Sequence, residues 1–350
     1  MSLAREVKRL ALRAVYNYLD KDPQANLPRL MEWVDSRAGG LLEPQREVFR
    51  KIIEERDSNW YRLMESLWSD VDGEVRKTLF ENLIINANLL AALQARETGV
   101  QYGCAVPWML VLNLSGDGQG GGMPFDALDD IIEEAKSTGT YAFVLCGDRE
   151  LLRRDERIAL CNKHQDCQFM DFISGNHVDA AFADQLLRVK NCIPALQLRG
   201  TEEDRALEPV MELLRQRKLA FGAFCFYDEE NQTGFAREEV FEWMVEQGNK
   251  FCFFFSSLPE DRDYLYGMTR LYRQTKPLLT VNFCKDKAIT GGCLAARYYC
   301  AVDQSGRAKP CPFIETEGID VQDKSLLAAY RSPLFRDYFE DCPPCRGRKG

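Results

Sequence analysis

The sequence predicts an α/β protein built on a partial, TIM-like (β/α)6 barrel, with an all-helical domain before it and a small cysteine-rich domain after it. Three observations support this. Apolar residues recur at helical spacing up to about residue 100, strand-like and helix-like segments then alternate six times, and five of the thirteen cysteines fall in the last 58 residues. We place the domain boundaries at 1–103, 104–284 and 285–350.

The composition is that of an ordinary globular protein and narrows the functional classes. With 350 residues, of which 45% are hydrophobic and 28% charged, the chain can bury a large core. A net charge of −9 argues against a nucleic-acid-binding protein, which needs a basic face. No apolar run reaches the roughly 18 residues of a membrane span, and the start of the chain lacks the apolar core of a secretory signal. We therefore expect a cytoplasmic protein.

The first hundred residues are predicted to form amphipathic helices. The periodic segments are "AREVKRLALRAVYNYL", "LPRLMEWVDSRA", "QREVFRKIIEE" and "VRKTLFENLIINANLLAALQ". Asp70 or Asp72 is a suitable cap for the last of them. This region contains no metal-ligand spacing, so we expect it to pack against the rest of the chain or against a partner.

The central region alternates between strands and helices. Strands are predicted at 108–114, 141–146, 168–173, 192–199, 219–227 and 250–257, with a further one at 277–283, and helices near 125–137, 150–164, 178–190, 203–217, 236–248 and 261–274. Nearly continuous apolar strands between amphipathic helices predict a parallel sheet with helices on its outer face. In such barrels the chemistry lies in the loops that follow the strands.

The tail carries the strongest functional signal. Residues 298–311, "YYCAVDQSGRAKPC", predict a hairpin that turns at 304–306 and brings Cys293 close to Cys311. The C-x-x-C of Cys342 and Cys345 can supply two more thiolates. Four soft ligands suit either an iron–sulfur cluster or tetrahedral zinc, and the spacing does not separate the two.

These motifs resemble those of a known family. The spacing Cys293-x12-Gly306-x4-Cys311, followed by "SLLAAYRSPLFRDYFEDCPPC", resembles the SPASM/twitch extension of radical S-adenosylmethionine (SAM) enzymes. The resemblance implies one auxiliary 4Fe-4S cluster, because further cysteines for a second cluster are missing. It also implies ligands among the C-terminal cysteines: Cys293, Cys311, Cys342 and Cys345, with Cys300 as a fifth candidate. The upstream barrel is similar to the radical SAM core, so the resemblance covers roughly 104–350.

The sequence departs from this family where SAM would be cleaved. The family carries C-x-x-x-C-x-x-C in the loop after the first core strand, and those thiolates hold the SAM-cleaving cluster. Here that loop reads "SGDGQGGG", and no cysteine occurs between Cys104 and Cys146. The strand before the loop and the helix after it persist. We therefore do not expect SAM cleavage.

Two further family motifs are altered in the same way. The G-G-E-P motif after the second strand, which holds the SAM amino group, is replaced by Gly147-Asp148-Arg149-Glu150. A cation at Arg149 repels an ammonium. The T-N-G motif after the third strand reads Ile173-Ser174-Gly175 and lacks the asparagine amide. Gly147, Asp148, Arg149 and Ser174 are thus the degenerate SAM-site positions, and SAM is not an expected cofactor.

The glycine-rich loop also fits a dinucleotide-binding pattern. Gly116, Gly118 and Gly121 match G-x-G-x-x-G, and Asp148 after the next strand would be the ribose ligand. However, residues 122–124 delay the following helix, and this helix begins with acidic side chains that repel a pyrophosphate. A structural linker is the favoured interpretation of the loop.

Three functional hypotheses follow. The leading one is a radical-SAM-like iron–sulfur protein that has lost SAM cleavage. It would serve as a non-catalytic partner, a scaffold or an electron-transfer subunit for an active radical SAM relative or a redox protein. The second is an enzyme whose remodelled barrel mouth acts on another small molecule through Asp148, Arg149 and His177. The third is an interaction module stabilised by zinc.

Overall fold

A computed structural model describes residues 3–38, 43–116, 121–148, 150–256, 258–259, 262–286 and 293–340. The α/β fold predicted from the sequence is confirmed. Its centre is one ten-stranded sheet, mostly parallel, which the chain enters after a long helical region.

The N-terminal region is helical, as predicted. It comprises α1 (Leu3–Lys21), α2 (Pro23–Ala38), α3 (Glu43–Glu54), α4 (Asn59–Asp70), α5 (Gly73–Leu79), a π-helical segment (Phe80–Leu90) and α6 (Ala91–Tyr102). Asp72 caps α5, because its carboxylate accepts the backbone N–H groups of Glu74 and Val75. No described helix combines the length and the hydropathy that a membrane crossing requires.

The predicted alternation of strands and helices is also observed. The strands are β1 (Met109–Asn113), β2 (Ala142–Cys146), β3 (Gln168–Ile173), β4 (Cys192–Leu198), β5 (Gly222–Phe226), β6 (Phe251–Phe255) and β7 (Leu279–Asn282). Between them lie α7 (Phe125–Thr138), α8 (Arg154–Lys163), α9 (Ala180–Val189), α10 (Glu208–Gln216), α11 (Gln232–Phe235), α12 (Glu238–Glu246) and α13 (Tyr264–Thr275). Strands β1 to β7 pair in chain order, and every pair is parallel.

The C-terminal hairpin forms where it was predicted and extends the same sheet. It consists of β8 (Tyr299–Val302) and β9 (Arg307–Lys309), and it is followed by β10 (Ile319–Asp320), α14 (Leu326–Tyr330) and α15 (Pro333–Glu340). Gly306 lies in the turn at φ +77°, a conformation that favours glycine. Strand β8 pairs parallel with β1, which the sequence did not predict.

The two faces of the sheet bury different side chains. One face packs against α7–α10, α12 and α13 in the main core, to which strand residues such as Leu110, Phe169 and Phe254 contribute. The opposite face carries a second cluster that includes Phe224 and Phe255. Alternate residues of a strand point to opposite faces, so one run of apolar residues serves both clusters.

The sheet is curved so that its ends approach each other. Strands β7 and β8 stand at opposite ends of the parallel part, and seven spacings of about 4.8 Å would place them about 34 Å apart in a flat sheet. Yet the ring of Phe283, directly after β7, lies 6.4 Å from the ring of Tyr299 on β8. The face without helices is therefore concave, as a partial barrel requires.

The N-terminal helices cover the amino ends of the strands. The Asn82 side chain donates to the carbonyl of Cys167, directly before β3, at 2.8 Å. The Asn59 side chain donates to the carbonyl of Lys276, shortly before β7, at 3.0 Å. Leu79 packs against the cluster on the concave face. The sequence predicts that this region packs against the rest of the chain or against a partner. The structure shows packing against the rest of the chain.

Candidate functional site

The loop after β1 is closed by backbone contact between its two ends. Gly116 has φ +93°, and a Cβ atom there would lie 1.9 Å from the carbonyl oxygen of Gly121, so this approach requires glycine. The side-chain oxygen of Asn113 accepts the Ser115 N–H at 2.9 Å and fixes the start of the loop. Residues 117–120 lie outside the described residues. The described glycines join β1 closely to the next helix, which favours the linker interpretation.

Asp148, predicted as a degenerate SAM-site position, is used inside the protein. Its carboxylate is buried and accepts the backbone N–H groups of Leu152 and Arg153 at 2.9 Å each. It also accepts the Nε–H of Arg157 at 3.3 Å. Arg149 lies outside the described residues. Because the Asp148 carboxylate is already engaged, it is poorly placed to bind a ribose or a ligand's amino group.

Gly147 and Ser174 lie at the ends of neighbouring strands. Gly147 is exposed, and Ser174 is half-buried before a short 3-10 turn at Gly175–His177. Ser174 makes no side-chain hydrogen bond to this turn, and His177 is exposed. These positions offer one hydroxyl group and no carboxylate to a ligand.

A buried charge network lies behind Asp148, on the helix side of the sheet. Arg157 on α8 donates hydrogen bonds to the carboxylates of Asp148 and Asp171, and all three side chains are buried. Burial raises the pKa of Asp171 to about 6, although the Arg157 guanidinium opposes this rise. The network joins α8 to β2 and β3 and has a structural role.

The concave face is occupied by aromatic side chains. The rings in mutual contact are Phe172, Phe224, Phe226, Phe253, Phe255, Phe283 and Phe313. Centroids of the stacked pairs are 4.5 Å apart for Phe172–Phe224 and 5.1 Å for Phe255–Phe283, which is the spacing of closely packed rings. From β3 to β7, contacting aromatic rings therefore line the face where a barrel would hold a ligand. Phe224 and Phe255 are buried, and the other five rings are half-buried or exposed.

Cys293 and Cys311 lie together in a buried pocket at the end of this aromatic cluster, as the predicted hairpin implies. They are 9% and 5% exposed and pack with Ala295 and Tyr299. The Tyr299 hydroxyl lies 3.8 Å from the Sγ atom of Cys311. Phe313 packs against both this pocket and the aromatic cluster. We call this pocket the thiol pocket.

A third cysteine, Cys284, lies within electrostatic reach of the thiol pocket. Burial raises the pKa of Tyr299 far above its usual range, and the thiols of Cys311, Cys293 and Cys284 raise this pKa further. Cys284 lies in a turn after β7, in which the backbone N–H of Asp286 donates to the Asn282 carbonyl at 2.9 Å. Cys284 is not among the candidate ligands predicted from the sequence. Its place directly after the last barrel strand was the available signal, but only the curvature of the sheet brings it near the hairpin.

Cys300, the fifth predicted ligand, points to the opposite face of the sheet. It is fully buried in the main core on the helix side, whereas its neighbour Tyr299 faces the thiol pocket. Burial raises the pKa of the Cys300 thiol to about 12. Because consecutive strand residues alternate in direction, the structure does not bring Cys300 together with Cys293 and Cys311.

The last described helix ends beside the thiol pocket. Tyr338 on α15 packs against the pocket, and the guanidinium of Arg297 donates to the carbonyl of Phe339 at 2.7 Å. Cys342 and Cys345 lie outside the described residues. In the sequence, Cys342 follows the end of α15 by two residues.

The donor set fits a soft metal centre in part. In the ranges that the structure describes, no three Cys, His, Asp or Glu side chains form a ready-made metal site. Two buried thiols nevertheless share one pocket, Cys284 lies within electrostatic reach of Tyr299 in that pocket, and two further cysteines follow α15 in the sequence. Thiolates of this kind hold iron–sulfur clusters or zinc.

A curved parallel α/β sheet followed by a cysteine-bearing hairpin has the architecture of radical SAM enzymes with a SPASM/twitch-type extension, and this chain has that fold. In particular, it is similar to SuiB of Streptococcus suis. The SAM-bound structure of SuiB is 14% identical at a TM-score of 0.55, over 72% of this chain and 70% of SuiB. The structure of SuiB alone is 14% identical at a TM-score of 0.54, over 78% and 82% of the two chains. No family model and no curated protein matches the sequence.

Proposed function

We propose that this chain is a radical-SAM-like iron–sulfur protein that does not cleave SAM. It acts in the cytoplasm as a non-catalytic partner, scaffold or electron-transfer subunit through one auxiliary 4Fe-4S cluster. Its physiological partner is an active radical SAM relative or a redox protein. A bound 4Fe-4S cluster supplies one-electron transfer.

The observation that carries this proposal is the shared burial of Cys293 and Cys311 at the end of the aromatic cluster. The hairpin brings these two cysteines into one pocket, and in the sequence Cys342 and Cys345 follow α15, whose Tyr338 packs against that pocket. We propose these four cysteines as ligands, with Cys284 replacing Cys300 as the fifth candidate.

Three features support the loss of SAM cleavage. The loop after β1 contains no cysteine that could hold the SAM-cleaving cluster. The Asp148 carboxylate is consumed by backbone N–H groups and by Arg157. Aromatic rings in mutual contact line the concave face from β3 to β7. SuiB has a structure bound to SAM, whereas in this chain Asp148, one of the degenerate SAM-site positions, is engaged inside the protein.

The test is anaerobic reconstitution of the full chain with iron and sulfide, followed by metal analysis. We expect about four irons per chain, as a 4Fe-4S cluster requires. The Cys293→Ala and Cys311→Ala variants should lose most of this iron. Cys300→Ala is the matched control, because Cys300 lies on the same hairpin but on the other face of the sheet. Equal iron loss in all three variants would contradict the proposed ligand set.

A second measurement addresses catalysis. Reconstituted protein is mixed with SAM and dithionite, and 5′-deoxyadenosine is quantified. We expect none above the level of a protein-free blank. Formation of this product at a rate that depends on protein concentration would overturn the pseudoenzyme proposal and leave the cluster proposal in place.

The alternatives give different results in the same experiments. Zinc without iron in the anaerobically purified protein would favour the zinc-stabilised interaction module. The enzyme hypothesis gains no support from the described cavity between the loops after β4 and β5. That cavity has a volume of about 60 Å³, far below the roughly 300–1,000 Å³ of small-molecule sites. Specific thermal stabilisation by a metabolite would nevertheless favour the enzyme.

A further inference from the structure

The hydroxyl group of Tyr299 makes a contact that packing of the aromatic ring alone does not require. Tyr299 begins β8, is 6% exposed and turns its hydroxyl into the thiol pocket. In the described part of the chain, the Sγ atom of Cys311 is the hydrogen-bond partner of this hydroxyl, at 3.8 Å. A phenylalanine would fill the same space without contacting the sulfur. The hydroxyl is therefore the feature that needs an explanation.

The surroundings of Tyr299 make a hydrogen bond to sulfur effective. The ring of Phe283 lies 6.4 Å from the Tyr299 ring, and Phe313 packs against the same pocket. With little water nearby, the interaction between the hydroxyl and the sulfur is weakly screened. A hydroxyl facing a thiolate can only donate, and hydrogen bonds to ionised acceptors are stronger than neutral ones.

We propose that Tyr299 is a positioning residue for the auxiliary cluster and raises its reduction potential by donating a hydrogen bond to Cys311 Sγ. This inference rests on the proposed function, in which Cys311 is a cluster ligand. A donor to a ligand sulfur stabilises the reduced cluster more than the oxidised one, because reduction adds negative charge. Hydrogen bonds to the sulfurs are among the factors that set the potentials of iron–sulfur clusters.

The test is a redox titration of the reconstituted full chain, with the reduced cluster followed by electron paramagnetic resonance. Tyr299→Phe removes the donor and keeps the ring. We expect about a tenfold shift of the one-electron equilibrium towards the oxidised cluster, which corresponds to a potential lower by about 59 mV. Tyr298→Phe is the matched control, because Tyr298 is the adjacent residue and is 53% exposed. Its potential should equal that of the wild type.

A second variant strengthens the same hydrogen bond instead of removing it. Replacing Tyr299 by 3-fluorotyrosine keeps the shape of the side chain and makes the hydroxyl a stronger donor, so the potential should rise. This substitution also removes the concern that Tyr299→Phe fails to fold.

Failure of the inference and failure of the proposed function give different results. If wild-type protein binds iron but neither Tyr299 variant changes the potential, the role of Tyr299 is wrong and the cluster stands. If wild-type protein binds no iron, the proposed function is wrong, and the role of Tyr299 is overturned with it. If both Tyr299→Phe and Tyr298→Phe lower the potential equally, a specific bond from Tyr299 is refuted.

Discussion

Phe255→Ala tests whether the concave face is a packed interior. Phe255 is 7% exposed, and its ring centroid lies 6.0, 5.2, 5.1 and 5.3 Å from those of Phe172, Phe226, Phe283 and Phe313. Truncation removes a buried ring, and two of its four neighbours, Phe172 and Phe226, are held by strands β3 and β5. We expect the free energy of unfolding to fall by about 3–5 kcal/mol, the usual cost of a buried Phe→Ala change.

The assay is urea denaturation, with Phe226→Ala as the matched control. Phe226 belongs to the same cluster but is 40% exposed, so its truncation should cost only about 1 kcal/mol. If the space left at Phe255 stays enclosed, benzene should raise the melting temperature of Phe255→Ala but not that of the wild type, because dry apolar cavities bind small apolar molecules. A cost at Phe255 no larger than at Phe226 would refute the packed interior and reopen this face as a ligand site.

Three further predictions concern stability. Asp171 holds its proton more tightly in the native state (pKa about 6) than in the unfolded chain, so its contribution to wild-type stability should fall by about 3 kcal/mol as pH rises from about 4 through 6. Asp171→Asn should lack this fall in pH-dependent denaturation, and parallel curves for the two proteins would contradict the raised pKa. Gly116→Ala should cost more than Gly103→Ala in thermal unfolding, since both have positive φ but only Gly116 meets backbone at 1.9 Å; equal costs would contradict the closed loop. Asp72→Ala should cost about 1 kcal/mol by loss of the α5 cap, and an unchanged melting temperature would show that the cap is dispensable.

The candidate site was predicted in part. The spacing of Cys293, Gly306 and Cys311 predicted the hairpin, because a glycine turn between two short strands leaves few other geometries. The same pattern did not separate Cys300 from Cys293 and Cys311. Which face of β8 a residue occupies depends on where the ladder begins, and a shift of one residue reverses every side chain.

Cys284 shows the opposite case. Its place after the last barrel strand is the one local feature that separates it from cysteines that fill the core, such as Cys225 and Cys252. Cys284 comes near the thiol pocket because the segment after β7 approaches β8, as the contact between Phe283 and Tyr299 shows. These two strands stand at opposite ends of the parallel part of the sheet. Curvature of this kind accumulates over many strands and leaves no mark at one position.

The sequence by itself determined the order of helices and strands, the hairpin and the missing cysteine motif, because periodicity, turn residues and ligand spacing are local properties. Only the tertiary structure decided which cysteines share a pocket, that Asp148 is engaged by Arg157 and backbone, and that phenylalanine rings line the concave face. These features arise from the pairing of β8 with β1 and from the curvature of the sheet. They join residues far apart in the chain, whose proximity no local pattern can encode.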